Sequence, residues 1–302
     1  MIYTVTFNPA IDYVVQLGQA LALGSVNRNK AEAFQFGGKG INVSNVLKNL
    51  GVDTVAMGFV AGFTGLGLEQ GLQEMGLATR FIHVEQGMTR INVKIKAGQE
   101  TEINGIGPVI TDADMEKLYA QLDKIGPKDM LVLSGSIPAC LGSDTYEKIM
   151  ARLQDRQIPI TVDATGALLM NVLQYRPFLI KPNNHELGEI FGVTPKTDEE
   201  LMLCAKKLQA MGGKNILISL AGDGALLLDE TGKFHRTGCP KGTLVNSVGA
   251  GDSMVAGFLA GYLQTGDYGY ALKLGTAAGS ATAFSLGLAT GEQIKQLMLT
   301  LL

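Results

Sequence analysis

Short, mostly apolar runs, several of them rich in β-branched residues, alternate along this chain with longer stretches that carry apolar residues at helical spacing. The short runs are residues 2–7, 55–60, 130–133, 158–162, 178–180, 216–220 and 225–228. Residues 39–50, 66–75, 114–122, 146–153 and 199–211 carry the helical pattern, and 253–264, 268–284 and 291–301 make the last third mainly helical. In the stretch 39–50, Ile41, Val43, Val46, Leu47 and Leu50 fall close to one helix face and Gly51 supplies a stop. A run that is apolar at every position fits a strand covered on both sides. Strands joined through helices return in the same direction. The expectation is an α/β fold, with a mostly parallel central sheet flanked by helices.

Two stretches break the rhythm. Residues 11–17 followed by 27–36, and 90–96 followed by 100–104, alternate like strands with no helix between them. Ile91, Val93 and Ile95 face one way, and Asn92, Lys94 and Lys96 the other. They predict a small antiparallel sheet whose strands, at about 11–36 and 89–105, are inserted in a single domain spanning 1–302. Its apolar face needs a cover: the substrate, the main domain or a second subunit. The reading adopted is a lid that doubles as a homodimer contact.

At 302 residues with 46% hydrophobic side chains, the chain can bury a substantial core. A formal charge of −3 argues against broad attraction to nucleic acid or an anionic membrane, but a few local cations can still hold a small anion. Cys140, Cys204 and Cys239 are odd in number and show no Cys-x-x-Cys spacing, so no zinc site or disulfide framework follows. They read as reduced, mostly buried thiols. No basic region and cleavage site open the chain, and the apolar runs stop well short of a bilayer span, so a soluble cytoplasmic protein is expected.

Residues 246–252 read Asn-Ser-Val-Gly-Ala-Gly-Asp and lead directly into a helical pattern. Glycine lets backbone approach a ligand closely, and the free N–H groups of a helix start favour an anion. Asp252 stands at that same end, where a carboxylate can take a proton from an attacking hydroxyl. The combination points to phosphoryl transfer. The plainer alternative is a glycine-rich turn with Asp252 as its N-cap.

Other polar segments also follow strands, where open α/β sheets place ligands. Gly37-Gly38-Lys39-Gly40-Ile41-Asn42 is neither a Walker A loop nor a dinucleotide fingerprint. Its amides and Lys39 can face a polar ligand together, or it is a turn with Lys39 in solvent. Asp12, closing Asn8-Pro9-Ala10-Ile11-Asp12, can accept sugar hydroxyls or cap a turn. Ser134 and Ser136 offer hydroxyls at the same edge. In Lys181-Pro182-Asn183-Asn184-His185-Glu186, Glu186 can hold magnesium through water or make a surface ion pair. Gly222 and Gly224, after Ser219, make a tight turn that suits a nucleotide neighbour or a simple hairpin. Each segment is ambiguous alone, but together on one α/β chain they are hard to ascribe to independent turns.

In their order, Asn8-x-x-x-Asp12, Gly37-Gly38-Lys39-Gly40-x-Asn42, Lys181-Pro-Asn183-x-x-Glu186 and Gly249-Ala-Gly251-Asp252 resemble the signatures of the PfkB, or ribokinase-like, carbohydrate kinases, over essentially the whole chain. The stretches 6–12, 62–65, 89–94 and 101–108 are most similar to the 1-phosphofructokinase branch, and tagatose-6-phosphate kinases share much of the same vocabulary. The resemblance implies a ribokinase-like fold, ATP and Mg2+ as cofactors, and a sugar phosphate as acceptor. Asp252 would be the general base, and Gly249, Ala250 and Gly251 the anion hole. Asp12, Gly38 and Asn42 would hold sugar hydroxyls, with Lys39, Arg90 and, as a third cation, Arg28 on the existing phosphate. Lys181, Asn183, Ser219, Gly222, Gly224 and Ser247 would border ATP, and Glu186 would hold the metal through water. The implied reaction is phosphorylation of D-fructose 1-phosphate at its C6 hydroxyl, with tagatose 6-phosphate or fructose 6-phosphate as alternative acceptors.

Overall fold

The structure is a computed structural model that describes residues 1–302. β1 (Ile2–Thr6) opens the main sheet, and the chain then leaves it through β2 (Ala10–Leu17) and β3 (Asn29–Gly37) before helix α1 (Lys39–Asn49). β4 (Thr54–Ala61), α2 (Gly62–Glu74) and β5 (Ala78–Val84) return to the main sheet, and β6 (Arg90–Ala97) and β7 (Gln99–Ile103) complete the smaller one. The alternation then runs α3 (Asp112–Leu122), β8 (Met130–Ser134), α4 (Thr145–Leu153), β9 (Ile160–Asp163), α5 (Gly166–Val172), β10 (Leu179–Ile180), α6 (Asn184–Phe191), α7 (Asp198–Ala210) and β11 (Asn215–Ser219). A hairpin of β12 (Ala225–Leu228) and β13 (Phe234–Thr237) precedes α8 (Ala250–Thr265), α9 (Tyr268–Ala283) and α10 (Gly291–Leu299).

The main sheet has nine strands in the order β13-β12-β11-β10-β9-β8-β1-β4-β5. All neighbours from β11 to β5 are parallel, and β12 alone runs against them, paired antiparallel with β11 on one side and β13 on the other. From β1 the chain builds outward first through β4 and β5, and then resumes on the other side at β8. The direction of winding therefore reverses between β1 and β8, and a crevice opens there at the strands' C-terminal ends. β4 and β8 are buried at every position, as their unbroken apolar runs predict. One core joins α3, α4, α5 and α7 to the sheet, and a second covers the other face with α1, α8, α9 and α10. No helix is long and apolar enough to cross a membrane.

The smaller sheet has four strands in the order β3-β2-β6-β7. Its outer pairs are antiparallel as expected, but the central pair, β2 with β6, is parallel. Both strands leave the C-terminal ends of parallel strands of the main sheet, β1 and β5, so both run outward in one direction. The two faces are also covered differently than one-sided packing predicts. Asn92 and Lys94 are buried, whereas Phe34 and Ile103 are each 61% exposed. Only the base of the apolar face is covered, where Phe36, Ile11 and Ile91 pack with Leu68 and Leu72 of α2.

Candidate active site

Helix α8 begins at Ala250, earlier than the apolar periodicity indicates. Gly249 is its N-cap, with φ of 79°, and a Cβ there would lie 2.7 Å from Leu288 Cδ2. Asp252 is therefore the third helical residue, and its carboxylate makes no capping hydrogen bond. The N-cap alternative is excluded. At 5% exposure, Asp252 instead accepts a hydrogen bond from Asn42 Nδ2 at 2.8 Å. The amides of Gly251 and Asp252 find no acceptor within the chain, so the helix start presents free donors beside a buried carboxylate.

Burial, and then the charge of Asp163, push the Asp252 pKa up to about 6, against the pull of Lys39, Asn42 and Lys181. Asp163 closes β9 and lies between two ammonium groups, Lys39 Nζ at 3.2 Å and Lys181 Nζ at 3.3 Å. Burial opposes its charge, but Lys181 and Lys39 outweigh it and hold Asp163 below its usual value. Burial likewise works against the charge of Lys39, and Asp163, Asp252 and Glu186 together raise its pKa all the same. Lys39 keeps 44% of its side chain exposed, yet its ammonium is held in the cluster by Asp163. Its neighbour Gly38, at φ 130°, is held so close to β1 that a Cβ would meet Thr6 Cγ2 at 2.6 Å.

A cavity of about 380 Å³ lies at the crevice between β1 and β8. Thr6, Asn8, Gly38, Ser134 and Ser136 line it, and Lys39, Arg90 and Asp163 are its charged residues. Arg90 is half-buried; burial lowers its pKa, opposed by the charge of Asp12, and its Nε donates to the Asn8 carbonyl at 3.2 Å. Asp12 lies on the lid's covered face, where Asn92 Nδ2 donates to Oδ1 at 2.8 Å and Lys94 Nζ approaches Oδ2 at 3.1 Å. Arg28 is exposed between β2 and β3 and does not line the cavity.

Lys181 follows β10, and a Cβ on Gly251 would meet its Nζ at 3.2 Å. The missing side chain leaves that ammonium open to the free amides, a cradle that fits a phosphate. Asn183 caps α6 and bridges to Ser219, which brings these two segments together. Glu186 completes the capping box by accepting from the Asn183 amide at 2.8 Å through Oε2, so it is neither a free surface group nor ion-paired. Its other oxygen is uncommitted. No cluster of three or more His, Cys, Asp or Glu side chains is suited to a metal, so a magnesium ion here would draw most of its ligands from phosphate and water, as that ion tends to. Gly224 is required by its φ of 89° and by Thr237 O, 2.2 Å from a built Cβ; at Gly222 a Cβ would meet nothing. The segment is the β11–β12 hairpin turn of the plainer reading. Ser247 is exposed, and its carbonyl accepts from the Ala250 amide. Of the cysteines, Cys204 is buried, Cys239 intermediate and Cys140 exposed, so Cys140 departs from the expected burial.

Asp163 is the central residue that motif reading passes over. Its signal was an acidic residue directly after the apolar run 158–162, at the strand end where ligands gather.

Free amides that accept an anion beside a base of raised pKa define a phosphotransferase with an alcohol acceptor, on a ribokinase-like α/β fold. Residues 5–295 match the pfkB family of carbohydrate kinases, and the chain belongs to that family. Kinases of this family draw the phosphoryl group from ATP. A 1-phosphofructokinase of Bacillus subtilis is 47% identical over 99% of this chain and 97% of its own length. A D-tagatose-1-phosphate kinase of Bacillus licheniformis is 38% identical over 98% of this chain and 97% of its own. Phosphofructokinase-2 of Escherichia coli, solved with fructose 6-phosphate, shares the fold with a TM-score of 0.91 at 24% identity, covering 99% of this chain and 98% of that one.

Proposed function

We propose that the chain transfers the γ-phosphoryl group of ATP to the C6 hydroxyl of D-fructose 1-phosphate, giving ADP and D-fructose 1,6-bisphosphate. The observation that carries the chemistry is Asp252: buried, uncapped, raised to about 6, and adjacent to free amides of its own helix. At neutral pH it is ionised and takes the proton of the C6 hydroxyl as that oxygen bonds to the γ-phosphorus and the bond to the ADP oxygen breaks. The amides of Gly251 and Asp252, with Lys181, receive the charge on the transferred group, while Gly249 and Ala250 shape that helix start. Asn42 holds the Asp252 carboxylate in place and Gly38 brings the backbone close to the sugar. Asp12 receives sugar hydroxyls. Arg90 and Lys39, the two cations of the cavity, hold the existing phosphate.

Asn183, Ser219, Gly222, Gly224 and Ser247 border the nucleotide, and Glu186 holds Mg2+ through water. When bound, that ion neutralises phosphate charge. The branch assignment rests on the 47% identity to a 1-phosphofructokinase. The 38% identity to a D-tagatose-1-phosphate kinase favours a second reading, in which the C4 epimer is the acceptor. ADP release measured across fructose 1-phosphate, tagatose 1-phosphate, fructose 6-phosphate and tagatose 6-phosphate separates these acceptors. Fructose 1-phosphate is expected to give the highest kcat/KM, and a strong preference for either 6-phosphate overturns the assignment.

The lid is also read as the contact of a homodimer. Support comes from a single row of paired side chains on its uncovered face, Phe34–Tyr13–Val93–Ile103, that crosses all of its strands.

A further inference from the structure

Lys94 and Lys181 are the only lysines that the fold buries. Lys181 faces Asp163 and the start of α8, within the phosphoryl-transfer machinery. Lys94 stands outside it, on β6 of the lid. Its ammonium is 3.1 Å from Asp12 Oδ2 and 3.7 Å from Glu102 Oε1. A buried ammonium is costly to desolvate unless paired. A lid that needed only cohesion would be better served by an apolar side chain, such as Val93 and Ile95 provide on the opposite face. We propose that Lys94 is a positioning residue for the sugar: it fixes the Asp12 carboxylate so that both oxygens meet substrate hydroxyls, and thereby sets affinity for the sugar phosphate and not the rate of transfer. The proposal rests on the reading of Asp12 as a sugar-binding residue.

The geometry divides the carboxylate evenly. Asn92 donates to Oδ1 at 2.8 Å, and Lys94 holds Oδ2. Each carboxylate oxygen accepts about two hydrogen bonds, so each keeps one free position, and the pair can receive neighbouring hydroxyls of a ketohexose. Asp12 and Asn92 are directly opposite in the parallel register, and Lys94 lies two residues farther along the same face. Its side chain must therefore reach back to Asp12, which a shorter residue cannot do. Glu102, opposite Lys94 on β7, shares the ammonium from the other side. Asn92 Oδ1 also accepts the Gly105 amide at 3.2 Å, so the loop after β7 is tied to the same group.

The test is steady-state kinetics on Lys94→Met, Lys94→Arg, Asp12→Asn and the double variant Lys94→Met/Asp12→Asn, each checked for folding by its melting curve. Lys94→Met is expected to raise KM for the sugar phosphate by about 10- to 100-fold, the range for losing a hydrogen bond to a charged group. Its kcat and its KM for ATP should stay within about threefold, a change worth less than 1 kcal/mol. Lys94→Arg, which keeps the charge, should recover part of the sugar affinity. Because Lys94 acts through Asp12, its removal should add little in the Asp12→Asn background. Additive losses, or kcat and both KM values changing together, overturn the proposal in favour of a lid-stability role. If Lys94→Met does not fold, Lys94→Gln, of similar reach but without the charge, takes its place, and an unchanged sugar KM there overturns the proposal equally. Should Asp12→Asn itself leave the sugar KM unchanged, the reading of Asp12 falls; a raised KM there with a normal one in Lys94→Met sinks the positioning role alone.

Discussion

Asp252 shows how a single residue is held in a state its surroundings disfavour. In the fold its carboxyl keeps a proton up to about pH 6, against 3.8 for an ordinary aspartate, chiefly because it is buried and next because Asp163 is charged nearby. Between those values the native state binds the extra proton. The stability this group contributes is therefore fully present below pH 3.8 and is lost as pH rises through about 6. Asp252→Asn keeps an acceptor for Asn42 but cannot ionise. It should lower turnover by about 10²- to 10⁴-fold, the usual worth of a general base, while sugar-phosphate binding is largely retained. The same variant should be more stable than the parent at pH 7, by on the order of 3 kcal/mol, with the difference vanishing toward pH 4. Calorimetric melting across that pH range reads the second effect, and equal stability at pH 7 would refute the strained-base account. In the parent, kcat/KM should rise with pH across a limb near 6 as Asp252 loses its proton. The candidacy of Asp252 was legible because a Gly-x-Gly-Asp sequence at a helix start carries its chemistry in local order. Asp163 was not, since its meaning comes from Lys39 and Lys181, which lie far from it in the chain and meet it only in three dimensions.

At the scale of elements, the site depends on how closely α8 can lie against its neighbour. A Cβ on Gly257 would approach Leu274 O at 2.6 Å and Ala278 Cβ at 2.8 Å, so α8 and α9 meet nearly backbone to backbone. Gly257→Ala should force them apart and cost about 1–3 kcal/mol, the usual penalty of overpacking. A thermal or denaturant melt measures it, and a loss under about 0.5 kcal/mol, the range of ordinary surface changes, counts against this packing account. Activity should fall with stability, because the start of α8 carries Asp252 and its free amides. Elements were readable where periodicity is strong: α1 and α7 fall close to their expected limits, as do the interior strands β4 and β8. β5 was missed because Thr79, Arg80 and His83 interrupt its apolar pattern at the sheet edge. β13 is another edge strand, reading Phe-His-Arg-Thr, too short and polar to signal itself. The alternation of the lid strands gave their faces correctly, yet the parallel pairing of β2 with β6 follows from where β1 and β5 release the chain, a tertiary fact.

Across the whole molecule, the lid presents one face to the cleft and the other to solvent, and the solvent face is the apolar one. Phe34 and Ile103, at the two ends of the row through Tyr13 and Val93, are each 61% exposed. Tyr13 and Phe34 stack at 4.8 Å between ring centroids, giving a flat aromatic step at one end of the row. Exposed apolar surface of this kind marks a protein contact, and a twofold axis lets a single face serve both partners. The parent chain should therefore sediment as a dimer at micromolar concentration. Replacing both ends of the row, Phe34→Glu with Ile103→Glu, should weaken association by about 100-fold or more, since an anchor of an interface is worth about 2 kcal/mol. Asp12, Asn92 and Lys94 occupy the opposite face of the same strands, so loosening the sheet should disturb the sugar before the nucleotide. The double variant is expected to show a raised sugar-phosphate KM that falls again as enzyme concentration restores the dimer, with the KM for ATP nearly constant. Sedimentation velocity and kinetics at matched concentrations decide between the outcomes. A parent that is monomeric at tens of micromolar rules out the lid as a dimer contact. A variant whose KM ignores its own association state separates that contact from the active site.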